Sequence, residues 1–83
     1  MNIYYKVIHL FFTKQAEHIH FFPIGIYDTN EKALSAIDSL KTKEGFGLRP
    51  DKFYVYRVLR LRKPKFLNQT YWVDGFSTYT YTK

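Results

Sequence analysis

From Ile3 to Phe12 both alternating sets of positions are largely apolar: Tyr5, Val7 and Phe11 form one set, Tyr4, Ile8, Leu10 and Phe12 the other. A strand apolar on both sides is covered on both sides, so this pattern predicts a central strand. The polar stretch Thr13 to Glu17 predicts a turn, and a second strand follows from about Ile19 to Tyr27. Pro23 lies inside it and cannot donate to a ladder, which predicts an edge position. The next pattern is helical. Asp28-Thr29-Asn30-Glu31 sets a capping residue three before a glutamate, and Ala33, Leu34, Ile37 and Leu40 recur at helical spacing. Lys41 and Lys43 suit the negative end of a helix dipole, and Gly45 is placed to end the helix with a left-handed residue.

After a loop containing Gly47 and Pro50, a third strand is predicted from Phe53 to about Leu61. Its odd set (Phe53, Val55, Arg57, Leu59, Leu61) is the more apolar and is expected to face the helix. Its even set (Tyr54, Tyr56, Val58, Arg60, Arg62) is expected to face the other way. Pro64 stops the strand, Lys65 to Thr70 form a loop, and Ser77 to Thr80 offer a short fourth strand. The fold class is therefore α+β: a β-β-α-β chain with a sheet of three or four strands and one helix packed on one face. A hairpin followed by a right-handed helical crossover gives the sheet order 2-1-3. The face away from the helix is left for the aromatic tail or for a partner.

Length and composition fit this plan. The chain has 83 residues, enough for one domain, 1–83. So short a chain buries only ~60% of the surface that it exposes when unfolded. Aromatic residues are 20% of the total, and large rings let a small core bury enough area. There is no cysteine, which excludes disulfides, cysteine-based zinc sites and thiol nucleophiles, and which fits a reducing, cytoplasmic setting. The apolar run Val7 to Phe12, broken by His9, is far shorter than the ~20 residues of a spanning helix, and the first residues read as the start of the fold rather than a signal peptide. No membrane association is expected.

Charge changes the picture more. The net charge is +6, and residues 1–42 contribute nothing to it: Lys6, Lys14, Lys32 and Lys41 balance Glu17, Asp28, Glu31 and Asp38. Residues 43–83 hold nine basic groups against Glu44, Asp51 and Asp74. Such asymmetry predicts a positive face and an anionic partner. Its densest part is Arg57 to Lys65, where Arg57, Arg60, Arg62, Lys63 and Lys65 make five cations in nine residues. Arg60 and Arg62 share a strand face with Tyr54 and Tyr56, an arrangement that can dock carboxylates of an acidic protein or stack bases and pair phosphates. The plain reading is an edge strand kept soluble by charge.

The tail adds Tyr71, Trp72, Phe76, Tyr79 and Tyr81. Trp72 and Phe76 are expected to plug the core around a turn at Gly75. Tyr79 and Tyr81 are expected to be free for contact. His18 and His20 lie on one side of a strand, but without a third fixed ligand they make a poor metal site, and no metal or other cofactor is expected. Catalytic signatures are lacking: there is no nucleophile elbow, and Gly45-Phe46-Gly47 ends a helix where a phosphate cradle would begin one. A histidine nuclease would need His9, His18 and His20 to converge with Arg57.

Gly25-Ile26-Tyr27, a helix opening with Glu31 and Ala33, Gly45-Phe46, Phe53 heading a strand, and Trp72-x-x-Gly75-Phe76 follow in this order. The set resembles a small bacterial family of domains of unknown function, the DUF7336-like group, over about residues 4–76. Members of that group begin with a strand like Tyr5 to Leu10 and end in Trp-x-x-Gly-Phe. The Arg60 to Thr70 connection is longer and more basic here than is usual for the family. The resemblance implies a fold more than an activity, and similar small bacterial domains serve as immunity proteins, antitoxins or phage accessory proteins. Together these readings lead to a non-enzymatic accessory protein, monomeric or homodimeric, that neutralises an acidic protein partner. Its expected contact residues are Tyr54, Tyr56, Arg57, Arg60, Arg62, Lys63, Lys65, Tyr79 and Tyr81. The alternative is a nucleic-acid-binding module that uses the basic and aromatic strand 53–65.

Overall fold

The computed structural model describes residues 1–13 and 18–75. Strand β1 (Asn2–Thr13) is followed by β2 (His18–Tyr27), helix α1 (Asn30–Leu40), a short 3-10 turn (Phe46–Leu48) and β3 (Phe53–Arg60). The sheet order is β2-β1-β3, with β1 antiparallel to both neighbours. The doubly apolar strand is central and the proline-bearing strand is at an edge, as the sequence pattern predicts. A fourth strand at Ser77 to Thr80 falls outside the described residues.

Register follows the alternation of β3. Arg57 stands opposite Tyr5, Val55 opposite Val7 and Phe53 opposite His9. Directly opposed residues share a face. The helix side therefore carries the odd set of β3, while Tyr54, Tyr56, Val58 and Arg60 share the other side with Ile8, Lys6, Tyr4 and Asn2. On β2 the register slips between Val7 and Ile8, whose partners are Gly25 and Pro23, so Ile24 is an extra residue. Without this bulge, Ile24 and Tyr27, three apart, would point to opposite faces. With it, both lie in the core beside Val7.

Helix α1 buries Ala33, Ala36, Ile37 and Leu40 against the sheet, an i, i+3, i+4, i+7 stripe. Leu34, expected on this stripe, is exposed. At 100° per residue it lies off the stripe that Ala33, Ile37 and Leu40 define, and Ala36 takes the place beside them. The cap is Thr29, whose Oγ1 accepts from the Lys32 backbone N–H at 3.1 Å. Asp28, one residue earlier, pairs with Lys32 at 3.0 Å. The helix ends at Leu40 with Lys41 as its last cap. Gly45 does adopt a positive φ (85°), but it opens the 3-10 turn five residues later and does not end the helix. That turn delivers Phe46, fully buried, into the core.

The connection after β3 departs from the expectation of a core plug. Having left β3 at one edge of the sheet, the chain reaches the opposite edge and runs along β2. Leu67 bridges Ile26 in parallel fashion. The Asn68 N–H donates to the Ile26 carbonyl and the Tyr71 N–H to the Ile24 carbonyl, both at 2.8 Å. Trp72 donates from Nε1 to the Pro23 carbonyl at 3.2 Å and sets its ring edge-on against Phe22, with 5.0 Å between centroids. It remains 40% exposed, so it covers an edge rather than filling the core. Phe76, the other expected plug, lies outside the described residues. Gly75 (φ 83°) packs against the Glu44 backbone so closely that a Cβ would fall 2.7 Å from the Glu44 nitrogen. No helix is long and apolar enough to cross a membrane among the described residues.

Candidate functional site: the uncovered face of the sheet

With α1 on one side, the other side of the sheet is built from alternate residues of all three strands. Along β1 these are Tyr4, Lys6, Ile8, Leu10 and Phe12, of which Tyr4 is buried, so the face is open toward its Phe12 end rather than over its whole length. The β2 partners of the last four are Ile26, Pro23, Phe21 and Ile19. Phe12 is 58% exposed, Ile19 65% and Phe21 51%, which groups three large apolar side chains in solvent at one end of the face. Tyr54 and Tyr56 continue the surface onto β3 and are also exposed. Between Phe12, Ile19, Leu10 and Tyr54 lies a shallow cavity of about 380 Å³, with Arg49 and Lys52 on its wall. The Arg49 guanidinium sits 5.1 Å from the centre of the Phe11 ring, within cation–π range. At the other end Lys6, Ile26, Arg60, Pro64 and Tyr71 line a second recess of about 280 Å³. An apolar surface with cations near both ends has the anatomy of a protein interface, whose centre is dry and whose rim is polar.

The expected contact residues divide over this geometry. Tyr54, Tyr56 and Arg60 lie together on the uncovered face, Tyr56 opposite Lys6 and Arg60 opposite Asn2. Arg57 lies on the helix side, opposite Tyr5, in a recess with Asn30 and Val55. Arg62, Lys63 and Lys65 are exposed in the connection beyond β3. Tyr79 and Tyr81 lie outside the described residues. Ile8, Leu10, Phe12, Ile19 and Phe21 also lie on this face and were not singled out from the sequence, although the second apolar set of β1 was a visible signal: one helix cannot cover two faces of a sheet.

His9 is placed as a core residue. It is fully buried on the helix side, with its ring edge-on to Phe46 at 4.9 Å and tilted against Phe53 at 4.6 Å. Its Nε2 lies 2.9 Å from the Arg49 carbonyl, so Nε2 carries the proton and donates. Burial lowers its pKa below the ordinary 6.5, and the hydrogen bond to Arg49 opposes this only in part, so the ring is neutral near pH 7. His20 stacks on Phe11 with 4.5 Å between centroids. Arg57 stands four residues along β1 from the His9 row, ~13 Å at ~3.3 Å per residue, so these two groups do not converge. Among the described residues no three His, Cys, Asp or Glu side chains gather to hold a metal ion.

At the edge of β2, Tyr27 is buried and its hydroxyl is 2.6 Å from that of Thr70, with burial pushing the phenol pKa up. Asp28 is held below the usual carboxylate range, first by Lys32 and then by Asn68. The Tyr27–Thr70 contact, and the Asp28 backbone N–H that donates to Asn68 Oδ1 at 3.1 Å, tie the end of β2 to the 66–72 segment. No family model, no curated protein and no solved structure matches this chain.

Proposed function

We propose that the chain is a non-enzymatic accessory protein of the immunity or antitoxin kind, which binds an acidic protein through the uncovered face of its sheet. The observation that carries this reading is the exposure of Phe12, Ile19 and Phe21 side by side, continuous with Tyr54 and Tyr56. Exposed apolar groups in contact with one another mark an interaction surface, whereas scattered ones do not. Lys6, Arg49, Lys52 and Arg60 around them select a partner of negative charge and steer its approach. The mainly aliphatic and aromatic centre favours a protein over a nucleic acid, which would draw most of its affinity from phosphate contacts.

The test is capture from native lysate by the tagged 83-residue protein, with and without nuclease and at low and moderate salt, beside a Phe12→Asp/Phe21→Asp variant. A discrete acidic protein retained through nuclease and salt, and lost with the variant, is the expected result. Binding that disappears with nuclease, or falls with salt at a log–log slope of several, assigns the face to nucleic acid instead. Capture unchanged by the double substitution removes the face from the site.

A further inference from the structure

We infer that the outer edge of β3 takes an acidic, extended segment of a protein partner as an added strand; this rests on the reading that the chain binds an acidic protein. The two edges of the sheet are treated differently. Residues 67–72 lie along β2 and take up its Ile24 and Ile26 carbonyls, while Trp72 takes that of Pro23. Among the described residues no strand pairs with the outer side of β3. An eight-residue strand hydrogen-bonded on one side presents alternate N–H and C=O groups on the other, a template for an incoming backbone.

Charge identifies the occupant. From Lys52 to Val73 the chain has no aspartate or glutamate, whereas Lys52, Arg57, Arg60, Arg62, Lys63 and Lys65 all fall in this stretch. Among the described residues the ion pair formed is Lys32–Asp28, which leaves these cations without a carboxylate. Arg57 projects to the helix side and Arg60 to the uncovered side, so acidic side chains on either face of an added strand meet a guanidinium. A second copy of this chain is a poor occupant, because its β3 brings Arg57 and Arg60 to the pair and no carboxylate to meet these cations. A nucleic acid lacks the alternating amide donors and acceptors that a strand edge matches.

The probe is an eight-residue peptide of alternating glutamate and valine, with a lysine–valine peptide as its control. Peptide binding to the full chain is followed by fluorescence anisotropy, and β3 amide exchange by NMR. The glutamate peptide is expected to bind, the lysine peptide not. Every second amide of Phe53–Arg60, fast in the free protein, is expected to slow by roughly tenfold or more. Arg57→Glu/Arg60→Glu is expected to weaken binding about tenfold, the size of two exposed ion pairs. Equal binding of both peptides, or no binding, overturns the inference. Glutamate-peptide binding that perturbs Leu10, Phe12 and Tyr54 without protecting β3 amides also overturns it, and leaves the proposed use of the face intact. Protection of β3 together with loss of partner capture in the Phe12→Asp/Phe21→Asp variant supports both.

Discussion

Phe46 is the side chain on which the fold should depend most. It is fully buried and meets His9 at 4.9 Å, Phe53 at 5.3 Å and Phe22 at 6.4 Å between ring centres. It reaches the core from a 3-10 turn, not from α1 or the sheet, so it is a wedge closing one end of the helix–sheet interface. A buried phenylalanine removes ~150–250 Å² from water, or ~4–6 kcal/mol at 25 cal/mol per Å². Measured truncations to alanine cost ~3–5 kcal/mol. A chain of 83 residues has only ~4–12 kcal/mol of stability in all. Phe46→Ala should therefore lower Tm by at least ~12 °C and bring the chain near to unfolding. Phe46→Leu, which keeps most of the volume, should cost ~1–1.5 kcal/mol. Leu48→Ala is the internal control: it sits in the same turn but is 65% exposed, so ~0.5 kcal/mol or less is expected. Urea unfolding followed by fluorescence of Trp72, the one tryptophan, reads all three. A loss under ~1 kcal/mol for Phe46→Ala, or equal losses for Phe46→Ala and Leu48→Ala, would refute the placement of this ring.

Other perturbations test other joints. His9 has a folded pKa below its unfolded 6.5, so stability is full above that pH and falls as pH drops from 6.5 toward the folded pKa, where the loss levels off. Urea midpoints taken between pH 7.5 and 5 should show this slope, and His9→Gln should flatten it. Gly75→Ala meets both a left-handed φ and the Glu44 backbone and should cost ~2 kcal/mol or more, whereas Gly47→Ala, whose Cβ would have 3.5 Å to the Lys41 carbonyl, should cost less than half as much by thermal melt. Thr29→Ala removes the acceptor for the Lys32 N–H and should cost ~1 kcal/mol, with Thr29→Asn close to neutral in the same assay.

What could be read from the residues was what repeats along the chain. The two apolar sets of β1, Pro23 in β2, the helical stripe around Ala33, Ile37 and Leu40, and the alternation of β3 specify the elements, the sheet order and the face assignments. What could not be read depends on encounters between distant residues. The Ile24 bulge is set by fitting Val7 and Pro23 at once, and a period-2 pattern has no place for an extra residue. His9 reads as a polar break in an apolar run, yet Phe46, Phe53 and the Arg49 carbonyl, at least 37 residues away, make it a core residue. The docking of 66–72 on β2 requires left-handed backbone at Phe66, Asn68 and Trp72, which side-chain identity predicts only for the asparagine. The candidate site shares this division: Tyr54, Tyr56 and Arg60 follow from alternation, while their union with Phe12, Ile19 and Phe21 needs the assembled sheet.

The stitched edge of β2 has a consequence for assembly. A sheet able to recruit strands on both sides can propagate without limit, which is how edge pairing becomes fibre growth. Here Asn68, Tyr71 and Trp72 occupy the acceptors on one side. Among the described residues β3 is then the one edge left for the strand addition proposed above, so each copy offers a single such site and does not link onward through β2.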